Sequence, residues 1–185
     1  MKTLYAFIFV VSSLILLVSA TPAKVTLHKT LLPKDFADTE AANVAVTDTV
    51  YAYDFEAKTM DGKSLNLADF RGKWVFIDFF ATWWGGCVAE FPRVAQLDTK
   101  IPSLNVIAVS FDSPEDKGKV KTFMTEQKAS FPVIIADDQT EEIVKLYSIQ
   151  FIPFSVLVNP EGRIVFKALR GDDMYKTIKD AMGIK

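Results

Sequence analysis

Hydrophobic and polar positions along the chain predict a regular succession of strands and helices. Apolar residues alternate with polar ones from Tyr53 to Ala57 and again from Ser64 to Leu67, with the turn former Asp61-Gly62 between them. This pattern predicts a β-hairpin. Continuous apolar runs follow at 74–80 and 106–109. Short unbroken runs are typical of strands that are buried on both faces of a parallel sheet.

Helical signals lie between and after these runs. Apolar residues recur at helical spacing over 87–100, and Ser113-Pro114-Glu115 combines an N-cap, a proline at the first helical position and an acidic first turn. The second helix is predicted to run to about Lys128. The remaining predicted elements are a strand over 132–136, a helix over 140–147, a hairpin with strands 154–158 and 163–166, and a helix over 174–182. Together they predict an α/β fold with a central mixed sheet flanked by helices on both faces.

The N-terminal residues have a different pattern. Lys2 precedes an apolar stretch, and Val18-Ser19-Ala20 has the small residues that signal peptidase prefers, so we expect a signal peptide over 1–20. An uncleaved membrane anchor stays open, because this stretch reaches the lower limit of about 17 residues for a span. Residues 21–50 are predicted as a lead-in with one edge strand near Val25–Leu27, and 51–185 as the folded domain.

The expected location follows from this N-terminus. The protein is predicted to be exported, to the periplasm or the extracellular space, and to touch a membrane only through an uncleaved N-terminal segment. A formal net charge of −2 argues against nucleic-acid binding, which demands a strongly basic face.

The cysteine count limits the chemistry further. Cys87 is the single cysteine, so no intramolecular disulfide can form. It is left as a buried thiol, a reactive thiol or one half of an intermolecular disulfide. His28 is the single histidine, and the two residues offer too few ligands for a metal site, so neither a metal nor another cofactor is expected.

One segment carries a family resemblance. Residues 79–92 read Phe-Phe-Ala-Thr-Trp-Trp-Gly-Gly-Cys-Val-Ala-Glu-Phe-Pro. They resemble the active-site segment of the thioredoxin superfamily, in particular that of the exported thiol:disulfide oxidoreductases of the TlpA/ResA type. The family pattern is an aromatic residue, Ala-Thr-Trp, Cys-x-x-Cys, two residues and Glu-x-Pro. Every element matches except the first cysteine, which is Trp84 here. The resemblance extends from about Tyr51 to the C-terminus and implies a thioredoxin-like fold.

The resemblance also implies roles for the residues around the motif. In this family the first cysteine attacks the substrate disulfide and the second resolves the mixed disulfide, so Trp84 excludes dithiol exchange within one chain. Cys87 matches the resolving cysteine, Asp78 a buried carboxylate that takes its proton, and Glu90 a glutamate that tunes the pair. Burial of Asp78 within an apolar strand is expected to raise its pKa.

A substrate groove is implied by the same comparison. Pro153 matches the superfamily's cis-proline, and the backbone of Ile152 would pair with an extended substrate chain. Trp83 matches the scaffold, and we expect Trp84 to be exposed at the mouth of the groove, where an indole often marks binding.

Inert interpretations of the same residues stay open. Cys87 is compatible with a core thiol, Asp78 with a hydrogen-bonded or water-contacting strand residue, Glu90 with an exposed helix residue, and Pro153 with a purely structural role.

Three functions are compatible with these features. The first is a degenerate family member that binds exported thiol proteins or extended peptides without exchange. The second is a one-cysteine enzyme in which Cys87 reacts with peroxide or forms mixed disulfides. The third is an otherwise intact exchange site in which Trp84 is a recent loss.

Overall fold

The computed structural model describes residues 43–135 and 138–185. Within these residues the strands are β1 Val44–Ala45, β2 Glu56–Lys58, β3 Ser64–Asn66, β4 Trp74–Phe80, β5 Leu104–Ser110, β6 Val133–Ile135, β7 Phe154–Val158 and β8 Ile164–Lys167. The helices are α1 Gly85–Val94, α2 Leu97–Lys100, α3 Lys117–Glu126, α4 Asp138–Leu146 and α5 Met174–Ala181. The predicted signal peptide, the edge strand near Val25–Leu27 and His28 lie outside the described residues. None of the described helices is long and apolar enough to cross a membrane.

The predicted mixed sheet is confirmed. Six strands form one sheet in the order β1-β8-β7-β4-β5-β6, in which β4, β5 and β6 are parallel and the other pairings are antiparallel. Strands β2 and β3 form a separate antiparallel hairpin. Strand β4 therefore lies in the middle, where β5 pairs with one of its edges and β7 with the other.

Side chains of β4 alternate between the two faces of the sheet, and helices cover its apolar side chains on both faces. On one face the Phe80 ring centroid lies 4.7 Å from that of Phe91 in α1 and 6.0 Å from that of Phe123 in α3. On the other face the Phe79 ring lies 5.9 Å from Tyr147, which directly follows α4. The helices on both faces thus explain why the 74–80 run lacks polar alternation.

The helix predicted over 87–100 is wrong in its extent. The chain forms α1 and α2 instead, with a break at Ala95–Gln96. Pro92 lies inside α1 and has no N–H to donate to the carbonyl of Val88, so the last turn of α1 lacks one hydrogen bond. The helix that follows Ser113 begins with a 3₁₀ turn at Pro114–Asp116 before α3. Strand β1 is a further difference, since it lies in the segment predicted as lead-in.

Packing of α1 against the sheet generates a stability prediction. Phe91 is 1% exposed between Phe80 and Phe123, so Phe91→Ala should lower the free energy of unfolding by about 3–5 kcal/mol. Val88→Ala is the matched control on the same helix, because Val88 is 39% exposed, and it should cost less than about 1 kcal/mol. Urea denaturation measures both. Equal losses in the two variants would contradict this packing.

Candidate functional site

The candidate site lies where two parallel strands end. The carboxyl ends of β4 and β5 meet at one edge of the sheet, the place where α/β proteins bind ligands. The N–H of Phe111 donates to the carbonyl of Phe80 over 2.8 Å, which holds the two strand ends together. The N–H of Trp84 donates to the carbonyl of Ala81 over 3.3 Å and closes the turn that leads into α1. Trp84 is therefore the N-cap residue of α1, and Cys87 lies one turn further along.

Cys87 is buried at the sheet side of α1. It is 1% exposed, and burial raises the pKa of its thiol far above the usual value. A hydrogen bond from the backbone of Ala81 opposes this rise, while the negative charges of Asp78 and Asp112 add to it. The sulfur is thus a protonated thiol at neutral pH, which is typical of an inert cysteine rather than a nucleophilic one.

Asp78 lies in β4, and its carboxyl group finds no hydrogen-bond donor within residues 43–135 and 138–185. It is 4% exposed, and no described residue donates a hydrogen bond to it. Its register partner Ala108 on β5 has no polar side-chain atom, and Ser155 on β7 donates its hydroxyl to the carbonyl of Leu169 over 2.7 Å instead. Burial, and secondly the charge of Glu90, raise the pKa of Asp78 to about 8. The expected direction of this shift is confirmed, whereas a role in proton transfer stays a prediction.

Glu90 connects α1 to the segment that precedes α5. Its side chain is 15% exposed, so the interpretation as an exposed helix residue is wrong. Its Oε1 accepts the N–H of Gly171 over 2.8 Å, and its Oε2 lies 3.4 Å from Nη1 of Arg93. Glu90 therefore anchors α1 and also brings a negative charge near Asp78. Its predicted role in tuning the site stays a prediction.

The indole of Trp84 packs back onto the chain. A Cβ atom placed at Gly86 would lie 3.0 Å from Nε1 of Trp84 and 3.6 Å from Cδ of Pro153. The indole and the proline thus both lie close to Gly86, and the indole lies so near that a side chain at this position would crowd it. The peptide bond between Ile152 and Pro153 is cis, and Ile152 is buried.

The expected exposure of Trp84 is wrong. Trp84 is half-buried rather than exposed, and its indole packs against Gly86. Trp83, which the family resemblance assigns to the scaffold, is the more exposed of the two at 39%. The two rings meet edge to face, with their centroids 6.4 Å apart. The structure therefore brings the Trp83 and Trp84 rings together and places Trp84 near Pro153, at the start of the helix that carries the buried Cys87.

Asp112 is a functional candidate that the sequence reasoning missed. It is 1% exposed and accepts the N–H of Thr82, over 2.9 Å, as well as the hydroxyls of Thr82 and Ser110. The signal for it was present in the sequence, since Asp112 comes just after the second buried run, which ends beside the first. No group of three or more His, Cys, Asp or Glu residues in 43–135 and 138–185 could hold a metal ion.

Comparisons with known proteins agree with this architecture. Residues 50–167 match the model of the AhpC/TSA family. The chain is 31% identical over 144 residues to the thiol-disulfide oxidoreductase ResA of Bacillus subtilis, covering 78% of this chain and 79% of the relative. It is 30% identical to ResA of Bacillus thuringiensis over 76% of this chain and 73% of the relative.

Solved structures of similar proteins have the same fold as this chain. The thioredoxin domain of a thiol-disulfide oxidoreductase from Bacteroides vulgatus superposes with a TM-score of 0.66 at 28% identity, covering 74% of this chain and 99% of that domain. A DsbE-type thiol:disulfide interchange protein from Chlorobium tepidum gives 0.62 at 24% identity, covering 77% of this chain and 98% of that chain, which supports the fold alone.

The buried Asp78 generates a pH prediction. The unfolded chain releases the Asp78 proton near pH 3.8 and the folded chain near pH 8, so between these values the folded state binds more protons. The free energy of unfolding should therefore fall as the pH rises from about 4 to about 8, by up to about 1.4 kcal/mol per pH unit. Urea denaturation at several pH values measures this slope.

Two variants separate Asp78 from other titrating groups. Asp78→Asn removes the buried acid and should flatten the slope. Asp48→Asn is the control at an exposed position and should leave the slope unchanged. A slope that persists in Asp78→Asn would assign the pH dependence to another group.

Proposed function

This chain belongs to the TlpA/ResA-like thiol-disulfide oxidoreductases of the thioredoxin superfamily, and we propose that it is a member that binds partners without dithiol exchange. The partner class is an exported thiol protein or another polypeptide in extended conformation. The observation that carries the proposal is the burial of Cys87, which is the single cysteine of the chain and only 1% exposed, and this burial raises the pKa of its thiol. Exchange begins with an exposed thiolate. In this chain the position of the attacking cysteine is occupied by Trp84, whose indole cannot act as that nucleophile.

The binding surface of this proposal is the face that carries Trp83 and Trp84. Trp83 offers an exposed ring, while Trp84 lies beside Gly86 and Pro153. Aromatic rings of this kind supply contact area with few rotatable bonds, which favours them in binding sites. The backbone next to a cis-proline is free of regular strand pairing at Ile152, since β7 begins at Phe154. An extended chain that pairs there would lie across the two indoles.

Export is part of the proposal. It rests on the apolar N-terminal stretch and the small residues at Val18-Ser19-Ala20. A location outside the cytoplasm would give the protein access to polypeptides that acquire disulfides there. Mass spectrometry of the N-terminus from cell fractions tests it, with Thr21 as the expected first residue.

A one-cysteine redox enzyme is the competing function. Sulfenic acid formation or a mixed disulfide requires a thiolate that reaches solvent. The burial and the raised pKa of Cys87 count against it. Consumption of hydrogen peroxide by the purified protein, with loss of one thiol per chain, would favour this function over binding alone.

Insulin reduction tests the lack of exchange. The purified protein should fail to catalyse reduction of insulin disulfides by dithiothreitol. Trp84→Cys supplies the missing sulfur at the family spacing, and oxidised glutathione, which takes up two electrons, should then form a disulfide between positions 84 and 87. The turn at Ala81–Trp84 and the start of α1 are in place to support it.

A cysteine one residue earlier is the matched control. Trp83→Cys adds a thiol on the same loop but outside the motif spacing, and it should form no intramolecular disulfide. Catalysis of insulin reduction by the unmodified chain would contradict the proposal. Absence of a disulfide in Trp84→Cys would mean that more than the attacking sulfur has been lost.

Binding itself is tested with insulin B chain whose cysteines are carboxymethylated, which removes any thiol chemistry. Titration followed by tryptophan fluorescence should show saturable binding. Trp84→Ala should weaken it at least about five-fold, about 1 kcal/mol, because an aromatic contact is lost. Tyr51→Ala is the control, since Tyr51 is exposed beside Arg163 at the other end of the β7–β8 hairpin. Equal effects of both substitutions, or no saturable binding, would contradict the proposed surface.

A further inference from the structure

We propose that Asp112 is a positioning residue of this site, whose carboxyl group holds the Thr82 peptide and thereby fixes the two indoles that follow it. The inference goes beyond the proposed function, because it concerns what holds the Trp83–Trp84 face in place and not what binds there. It stands on the hydrogen bonds between two segments that are 30 residues apart in sequence.

Three donors converge on the Asp112 carboxyl group. The N–H of Thr82 donates to Oδ2 over 2.9 Å, and the hydroxyl of Thr82 donates to Oδ1. The hydroxyl of Ser110 donates to Oδ2 over 2.7 Å, and Ser110 in turn accepts the N–H of Asp112 over 3.1 Å. Asp112 is 1% exposed, so the protein rather than solvent satisfies these oxygens. Both polar groups of Thr82 that can donate are thus held by one side chain.

The hydrogen bonds between Asp112 and Thr82 matter for the site because of where Thr82 lies. Thr82 directly precedes Trp83 and Trp84, and the turn that it belongs to closes through the bond between Trp84 and Ala81. The bond from Phe111 to Phe80 fixes only the end of β4. Beyond that point, Asp112, which follows β5, accepts two hydrogen bonds from Thr82 and so ties the loop to the segment after β5. Buried polar groups are costly to leave unpaired, so the loop is expected to move when the acceptor is removed.

The negative charge of Asp112 also affects the pKa of Cys87. It adds to the rise in the pKa of the thiol, together with burial and the charge of Asp78. The hydrogen bonds between Asp112 and Thr82 therefore lie close to the centre of the site.

Indole N–H resonances of the three tryptophans provide the test. In ¹⁵N–¹H correlation spectra of the full chain, assigned with single Trp→Phe variants, Asp112→Asn should shift the signals of Trp83 and Trp84 by more than a linewidth. Trp74 should not move, because it lies at the opposite end of β4. Asparagine keeps the shape of the side chain but leaves one acceptor oxygen for three donors. Thr82→Val, which removes the hydroxyl donor, should shift the same two signals.

Asp116→Asn is the matched control, since Asp116 lies four residues further on and pairs with Lys119 over 2.6 Å instead of with Thr82. It should leave the Trp83 and Trp84 signals unchanged. Unshifted Trp83 and Trp84 signals in Asp112→Asn would overturn the proposal, as would equal shifts of all three tryptophans, which indicate a general loss of structure.

Discussion

Strand β4 is buried on both faces and paired along both edges, and this constraint places every group of the candidate site. Its parallel pairing with β5 brings Phe80 and Ser110 to one edge of the sheet. Helix α1 starts a few residues later and is pressed against the same strand through Phe91. Cys87 is therefore buried because α1 packs against the sheet. Asp78 is buried because it lies within the central strand β4. Polar groups in such a position are costly unless they are paired or neutral.

The acidic surroundings of the thiol follow from that burial. Asp78 has no hydrogen-bond donor among the described residues, and its pKa rises to about 8, so at neutral pH it is mainly protonated. Glu90 and Asp112 both find partners, through Gly171 and Thr82 respectively. Among the described residues only the backbone hydrogen bond from Ala81 lowers the pKa of Cys87, and burial outweighs it, so the thiol stays protonated. The family's chemistry depends on the first sulfur, and we propose that its replacement by Trp84 leaves a binding face above an unreactive thiol.

Much of the fold was predictable because its central strands are long apolar runs with clear turn signals between them. The strands β4, β5, β7 and β8 and the helix α5 were found in this way, and the raised pKa of Asp78 followed from its place in an apolar strand. The boundary between α1 and α2 was not predictable from apolar spacing, which continues across Ala95–Gln96. The position of the Trp84 indole was missed because it depends on the space that Gly86 leaves. Asp112 was missed because its partner Thr82 is brought close only by the pairing of two strands.

Accessibility of the Cys87 sulfur is the most direct test of the claim that this site is sealed. Reaction of the native protein with Ellman's reagent at about pH 8, where a free exposed thiol is partly ionised, is compared with the same reaction in denaturant. The account predicts negligible release of thionitrobenzoate from the native protein and release of one equivalent per chain after unfolding. One equivalent released promptly from the native, folded protein would contradict it.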